Sequence, residues 1–237
     1  MTESRSTFHH QLEEVQRDLV VAAGRVNELI RRGTQALLDM DVDAVAGIIE
    51  ADDETDALML DVEERCFTLL ARQQPMAGDM RAIVTAIRLT AEIERSGDLD
   101  VNVGKAVRRL YGSEVPPALR GLIQQMSDEA VRLFELSMDA YADANAGLAA
   151  ALDDMDDRLD QLHKEYIQAI LRHYADGAEI QQAVQLALVG RYYERIGDHA
   201  VNIGERVRYM VTGWLPEHTG AVRHRARQEH GGGETPP

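Results

Sequence analysis

Apolar residues near the start of the chain recur at alternating steps of four and three. From Phe8 they run through Leu12, Val15, Leu19, Ala22, Val26, Leu29, Gly33 and Ala36, the seam of a helix packed in a left-handed bundle. The pattern predicts a first helix over about 7–40. Asp41-Val42-Asp43 then offers a turn with capping carboxylates. A second seam, Val45, Ile48, Asp52, Thr55, Met59, Val62, Cys66 and Leu69, ends before Pro75. The third helix is predicted from Met76 or Asp79 to Tyr111, with Met80, Ile83, Ile87, Thr90, Glu94, Gly97, Val101 and Gly104 in register. Gly112-Ser113 and Pro116-Pro117 mark a boundary. Three further helices are predicted, over about 117–146, 148–174 and 178–211. Short connections favour up-down-up packing. The expected fold is therefore all-α, two tandem, pseudo-symmetric three-helix bundles over 7–112 and 115–212. Past Trp214 the periodicity stops, and 213–237, with its Arg223, His224, Arg225 and Arg227 cluster, is expected to be a disordered tail.

The two halves are copies of one unit. Glu94-Arg95-Ser96-Gly97-Asp98 returns as Glu194-Arg195-Ile196-Gly197-Asp198, and Asn102-Val103-Gly104 returns as Asn202-Ile203-Gly204. These polar residues stand where helix packing alone favours Leu or Ala, so the duplicated block is the first place to look for function.

Composition changes the picture in two respects. A formal charge of −16 over 237 residues disfavours nucleic acid as the partner, because phosphate backbones are bound by Lys and Arg that displace counterions. The same charge suits carboxylates that meet cations or basic surfaces. The single cysteine, Cys66, excludes an intrachain disulfide and lies on an apolar seam, as a core residue does. No apolar run approaches the ~20 residues of a membrane span, and Met1-Thr2-Glu3-Ser4-Arg5 is no signal core. A cytoplasmic protein, touching membrane only through partners, is expected.

The candidate chemistry is carboxylate chemistry. Glu194, Asp198, Asn202 and Glu205 are spaced by four, four and three residues, one narrow stripe of a helix. Glu94, Asp98 and Asn102 repeat the stripe, but position 105 is Lys, which weakens the first copy as a cation site or supplies a cation from within. The preceding helix of each half adds Asp52 with Asp56, and Asp156 with Asp160. Were each pair to meet its neighbour, four carboxylates would converge per half, an arrangement that needs a cation or protonation. Hard oxygen donors of this kind suit Mg, Mn, Ca or Fe. Solvated acidic faces with weak ion pairs are the plainer alternative, and Gly97 and Gly197 then simply allow close helix approach. A ferritin-like oxidase or metal store is disfavoured by the lack of any Glu-x-x-His, and no nucleophile motif or phosphate loop is present, so no enzyme is expected. A purely structural helical repeat is the third alternative.

The doubled Glu-Arg-x-Gly-Asp with Asn-x-Gly, the two Asp-x-x-x-Asp helices and the segment Leu69-Leu70-Ala71-Arg72-Gln73-Gln74-Pro75-Met76-Ala77-Gly78-Asp79-Met80-Arg81 together resemble the PhoU family of phosphate-transport regulators, over about residues 7–212. The resemblance implies a cytoplasmic negative regulator of the phosphate-starvation response. Such a protein would connect the ATPase subunit of a high-affinity phosphate ABC transporter to a sensor histidine kinase, as a homodimer. It also implies iron, zinc, manganese or magnesium at Asp52, Asp56, Glu94, Asp98, Asp156, Asp160, Glu194 and Asp198. Lys105 points to the second half as the stronger of the two sites.

Overall fold

The computed structural model describes residues 2–73, 75–175 and 179–214, so the predicted tail beyond Trp214 lies outside the described residues. The described residues form six helices: α1 Thr2–Asp39, α2 Ala44–Gln73, α3 Ala77–Arg109, α4 Pro117–Ala142, α5 Ala146–His173 and α6 Ile180–Thr212. At 1.5 Å per residue, α1 alone is ~57 Å long. The first helix begins five residues before the predicted start at residue 7, and α4 stops at Ala142 instead of 146. The cause of that early stop is local. Asn145, which the predicted helix over about 117–146 included, instead caps α5 by accepting hydrogen bonds from the N–H of Gly147 and Leu148 at 3.1 and 3.0 Å. Asp41 does the same work before α2, its Oδ1 accepting from Asp43 and Ala44 at 3.1 Å.

Helices α1, α2 and α3 pack on one another, as do α4, α5 and α6, and the halves join through α1 against α4 and α3 against α6. Both joins are antiparallel. Along α3 and α6, Arg81 meets the Met210 carbonyl, Thr85 the Arg206 carbonyl, Glu92 His199 and Arg109 Gln185, in opposite sequence order. Along α1 and α4, Gln16 donates to the Ala142 carbonyl and Arg31 pairs with Glu135 at 2.6 Å, while Thr34 reaches Ser127. The predicted seams are the core: Val15, Leu19, Val26, Val45, Ile48, Met59, Val62 and Cys66 are buried, as are Leu119, Met126, Leu133, Leu152, Leu159 and Tyr166.

Two residues placed on the α3 seam by register leave it. Met80 and Glu94 are exposed. A straight α-helix drifts about 20° per heptad from a 3.5-residue repeat. Drift accounts for Met80 at the far end of the seam, but not for Glu94, which is exposed between the buried Thr90 and Gly97.

Candidate acidic clusters

The glycine of each repeat is a notch. A Cβ on Gly97 would overlap Asp52 Oδ1 from α2, and one on Gly197 would overlap Asp156 Oδ1 from α5 and the Leu159 side chain. An acid from the middle helix of each half thus lies directly on the backbone of the last helix, in the space a Cβ would otherwise take. The alternative in which these glycines serve close approach is correct in outline; what approaches is a carboxylate.

Asp52 is 5% exposed. Its Oδ1, Asp56 Oδ1 and Asp156 Oδ1 are buried with no hydrogen-bond partner. Burial, then the charges of Asp56, Asp98 and Asp53, push the Asp52 carboxyl up to about 7, with Lys105 opposing. Burial and the neighbouring Glu94, Asp98 and Asp53 also raise Asp56. In the second half burial, then Asp160, Asp198, Asp153 and Asp157, push Asp156 up to about 7. Asp52, Asp56, Glu94 and Asp98 therefore occupy one neighbourhood, and Asp156, Asp160 and Asp198 occupy its counterpart.

Convergence stops short of a formed coordination shell: among the described residues no three His, Cys, Asp or Glu side chains stand in ligating arrangement. The inner acids are fixed in their notches, while Glu94 and Asp98 are exposed on α3. In the second half the outer acids are engaged by the chain's own cations. Arg191 pairs with Glu194, and Arg195 with Asp198 at 3.2 Å. The first half has Ala91 at the position of Arg191. Its Arg95 instead acts on Glu92. The donor set of orphaned, hard carboxylate oxygens fits a hard divalent cation, which would relieve like-charge crowding that the protein otherwise relieves by protonation.

The predicted stripe divides at Asn202, which turns from the acids to the seam between halves. Its Nδ2 donates to Glu92 Oε2 at 3.2 Å, and His199 Nδ1 donates to the same oxygen at 2.6 Å. Burial pushes Glu92 upward, but the hydrogen bonds from His199 and Asn202 and the charges of His199 and Arg95 outweigh it and hold Glu92 below the usual range. Glu92 stands in no motif of the sequence, and its pairing with His199 appears only in the fold. A second polar contact across the halves likewise appears only there: the Thr34 hydroxyl lies 2.7 Å from Ser127 Oγ and from the Tyr193 hydroxyl, all three residues buried.

No helix among the described residues is long and apolar enough to cross a membrane. The PhoU domain model matches the chain twice, over residues 20–107 and 123–207. The chain is 35% identical over 221 residues to the phosphate-specific transport system accessory protein PhoU homolog 1 of Mycobacterium tuberculosis, covering 90% of this chain and 96% of the relative. Identity to PhoU homolog 2 of the same organism is 34% over 214 residues, 90% of this chain and 100% of that one. PhoU from Pseudomonas aeruginosa superposes with a TM-score of 0.82 at 28% identity, covering 87% of this chain and 100% of the other. The regulatory protein PhoU from Streptococcus pneumoniae, at 24% identity and a TM-score of 0.81, shares the fold over 88% of this chain and 98% of its own. With its doubled helical unit, its duplicated acid-on-glycine notch and these matches along nearly its whole length, the chain belongs to the PhoU family.

Proposed function

We propose that the chain is an accessory regulator of a phosphate-specific transport system rather than an enzyme. In this reading it holds the phosphate-starvation response down when phosphate is plentiful. It does so in the cytoplasm as a homodimeric adaptor between the ATPase subunit of the high-affinity phosphate ABC transporter and a sensor histidine kinase. The names of relatives that match about 90% of the chain support the transport connection.

Within the molecule, the observation that carries the reading is the repeated notch: Asp52 on Gly97 and Asp156 on Gly197. A carboxylate oxygen buried without a partner is costly unless it is neutralised. Asp52, Asp56, Glu94 and Asp98 in the first half, and Asp156, Asp160, Glu194 and Asp198 in the second, would hold a divalent cation or iron. A bound cation supplies positive charge that neutralises each cluster. The chain's own part is to keep Asp52 and Asp156 immobile on helix backbone while the outer acids on α3 and α6 turn between ion, Arg side chain and basic partner surface. A change of assembly with phosphate status then requires only that the acidic faces bind the two states of the transporter with different affinity.

The test is genetic and direct. Deleting the gene is expected to switch on phosphate-starvation transcripts in phosphate-rich medium, and wild type supplied in trans to silence them. A variant carrying Asp156→Asn and Asp198→Asn is expected to silence them poorly at equal protein level. Transcripts that stay low after deletion would contradict the regulatory reading; full silencing by the double variant would detach the second acidic cluster from it.

A further inference from the structure

The repeat is broken at one buried position. Counted from the matching glycines, residue 100 of the first copy corresponds to residue 200 of the second, and the pair is Asp100 against Ala200. Both are 0% exposed. Ala200 fills its place with a methyl group, as a helix seam asks. Asp100 puts a carboxylate in the same setting, and neither of its oxygens has a hydrogen-bond partner. Opposite it α1 carries Gly33, where a Cβ would overlap the carboxylate. This is a third acid-on-glycine notch, and it has no counterpart at position 200.

An isolated buried carboxylate is strongly destabilising unless it is neutralised. Alanine at the matching position of the second copy shows that packing of this helix does not demand one. The groups that act on Asp100 come from two neighbours: the charge of Asp52 on α2 and the guanidinium of Arg32 on α1. The buried Tyr193 hydroxyl on α6 is itself within the field of Asp100. Asp52 has the same character as Asp100, buried with an orphaned Oδ1, and it rests on Gly97, less than one turn of α3 away. Two unpartnered buried carboxylates thus stand close along the chain's interior, Asp52 reaching from α2 onto Gly97 of α3 and Asp100 reaching from α3 onto Gly33 of α1.

We propose that the first half binds a divalent cation at an inner position between Asp52 and Asp100, beneath the outer carboxylates, and that the second half, with Ala200, has no such position. Hard oxygen donors with no sulfur or imidazole select a cation of the magnesium and manganese class, for which one or two carboxylates are a normal protein contribution. Asp52 is then the shared group, facing Asp100 within and Asp56 without. The proposal rests on the reading that the acidic clusters take cations.

The experiment uses the full chain, stripped with chelator, with Mn²⁺ as the probe. Bound metal is counted by elemental analysis after dialysis, and Tm is recorded with and without Mn²⁺, for wild type, Asp100→Ala and Asp100→Asn. Asp100→Ala copies the residue the second half uses, and Asp100→Asn keeps the shape without the charge should alanine fail to fold. Wild type is expected to retain one more Mn²⁺ per chain than either variant. The metal-free variants are expected to melt higher than metal-free wild type yet gain less from Mn²⁺. Equal stoichiometry and equal Mn²⁺ response in wild type and variants would overturn the inner position while leaving the outer clusters standing. A wild type that retains no Mn²⁺ and whose Tm ignores it would instead overturn the cation reading of both halves.

Discussion

The two halves solve one electrostatic problem in different ways. Each lays an aspartate oxygen on a glycine of its last helix, the buried Asp52 on Gly97 and the half-buried Asp156 on Gly197. The second half then ties its outer acids to its own arginines, Arg191 to Glu194 and Arg195 to Asp198. The first half has Ala91 where Arg191 would be and turns Arg95 toward Glu92. It adds a further buried acid, Asp100, and offers Lys105 as a modest counterweight to Asp52. Duplication therefore preserved the notch and let its surroundings diverge. The outer acids of the first half are the less compensated, so on the proposal that these clusters take cations the first half is predicted to gain more, an expectation opposite to the one drawn from Lys105 alone.

The largest effect should come with pH. Asp52 and Asp156 have folded-state values near 7 against an ordinary 3.8. Their raised values mean that the folded state binds more protons than the unfolded one between about pH 4 and 7, so stability falls as pH rises through that window. Metal-free protein should therefore lose on the order of a few kcal/mol per site across it. Asp52→Asn and Asp156→Asn should each remove part of the slope in chemical denaturation at pH 4.5, 6 and 7.5. Glu92 works in the opposite sense. Its lowered value gives stability present above its unfolded value and lost as the pH falls through the folded one, so Glu92→Gln should soften the acid limb only.

Next in size is a contrast at the following glycine of each repeat. A Cβ at position 204 would press on Leu152 Cδ1 and the Ala149 carbonyl at 2.7 and 2.8 Å, whereas one at 104 meets Val45 Cγ1 at an ordinary 3.6 Å. Gly204→Ala should destabilise by about 1–3 kcal/mol through overpacking against backbone. Gly104→Ala should do the reverse and stabilise by up to about 1 kcal/mol, because alanine is the better helix former. Thermal melts of the two variants side by side sharpen or break the idea that the halves pack differently.

A third difference should appear in cation affinity. Asp98→Asn should weaken Mn²⁺ binding about tenfold, roughly 1.4 kcal/mol, and Asp198→Asn by less, since Asp198 already has Arg195. Isothermal titration of both variants checks the order, and a larger loss for Asp198→Asn would restore Lys105 as the deciding residue.

Much of this was legible in the chain, for identifiable reasons. Heptad seams gave six helices because bundle helices are amphipathic with a fixed period, and the buried position of Asp52 followed from its register between Ile48 and Thr55. Acid pairs on neighbouring helices could be placed because helical spacing fixes which side chains share a face. What escaped lies at contacts between the halves. Glu92 with His199, separated by 107 residues, and Thr34 with Tyr193, separated by 159, leave no periodic trace, since each depends on how one helix pair docks on another. Asp100 was hidden differently: its neighbours in sequence are ordinary, and its meaning appears only against Ala200 in the repeat and Gly33 across the bundle.

The central claim is that the duplicated buried acids are cation ligands rather than tolerated packing defects. Titration of Mn²⁺ into chelator-stripped protein, comparing wild type with the Asp52→Asn, Asp156→Asn double variant, tests it most directly. The account predicts saturable binding in wild type that the double variant loses in both halves, although its metal-free form is the more stable of the two at pH 7.5. Saturable binding unchanged by the double substitution, or no binding in wild type, would contradict it.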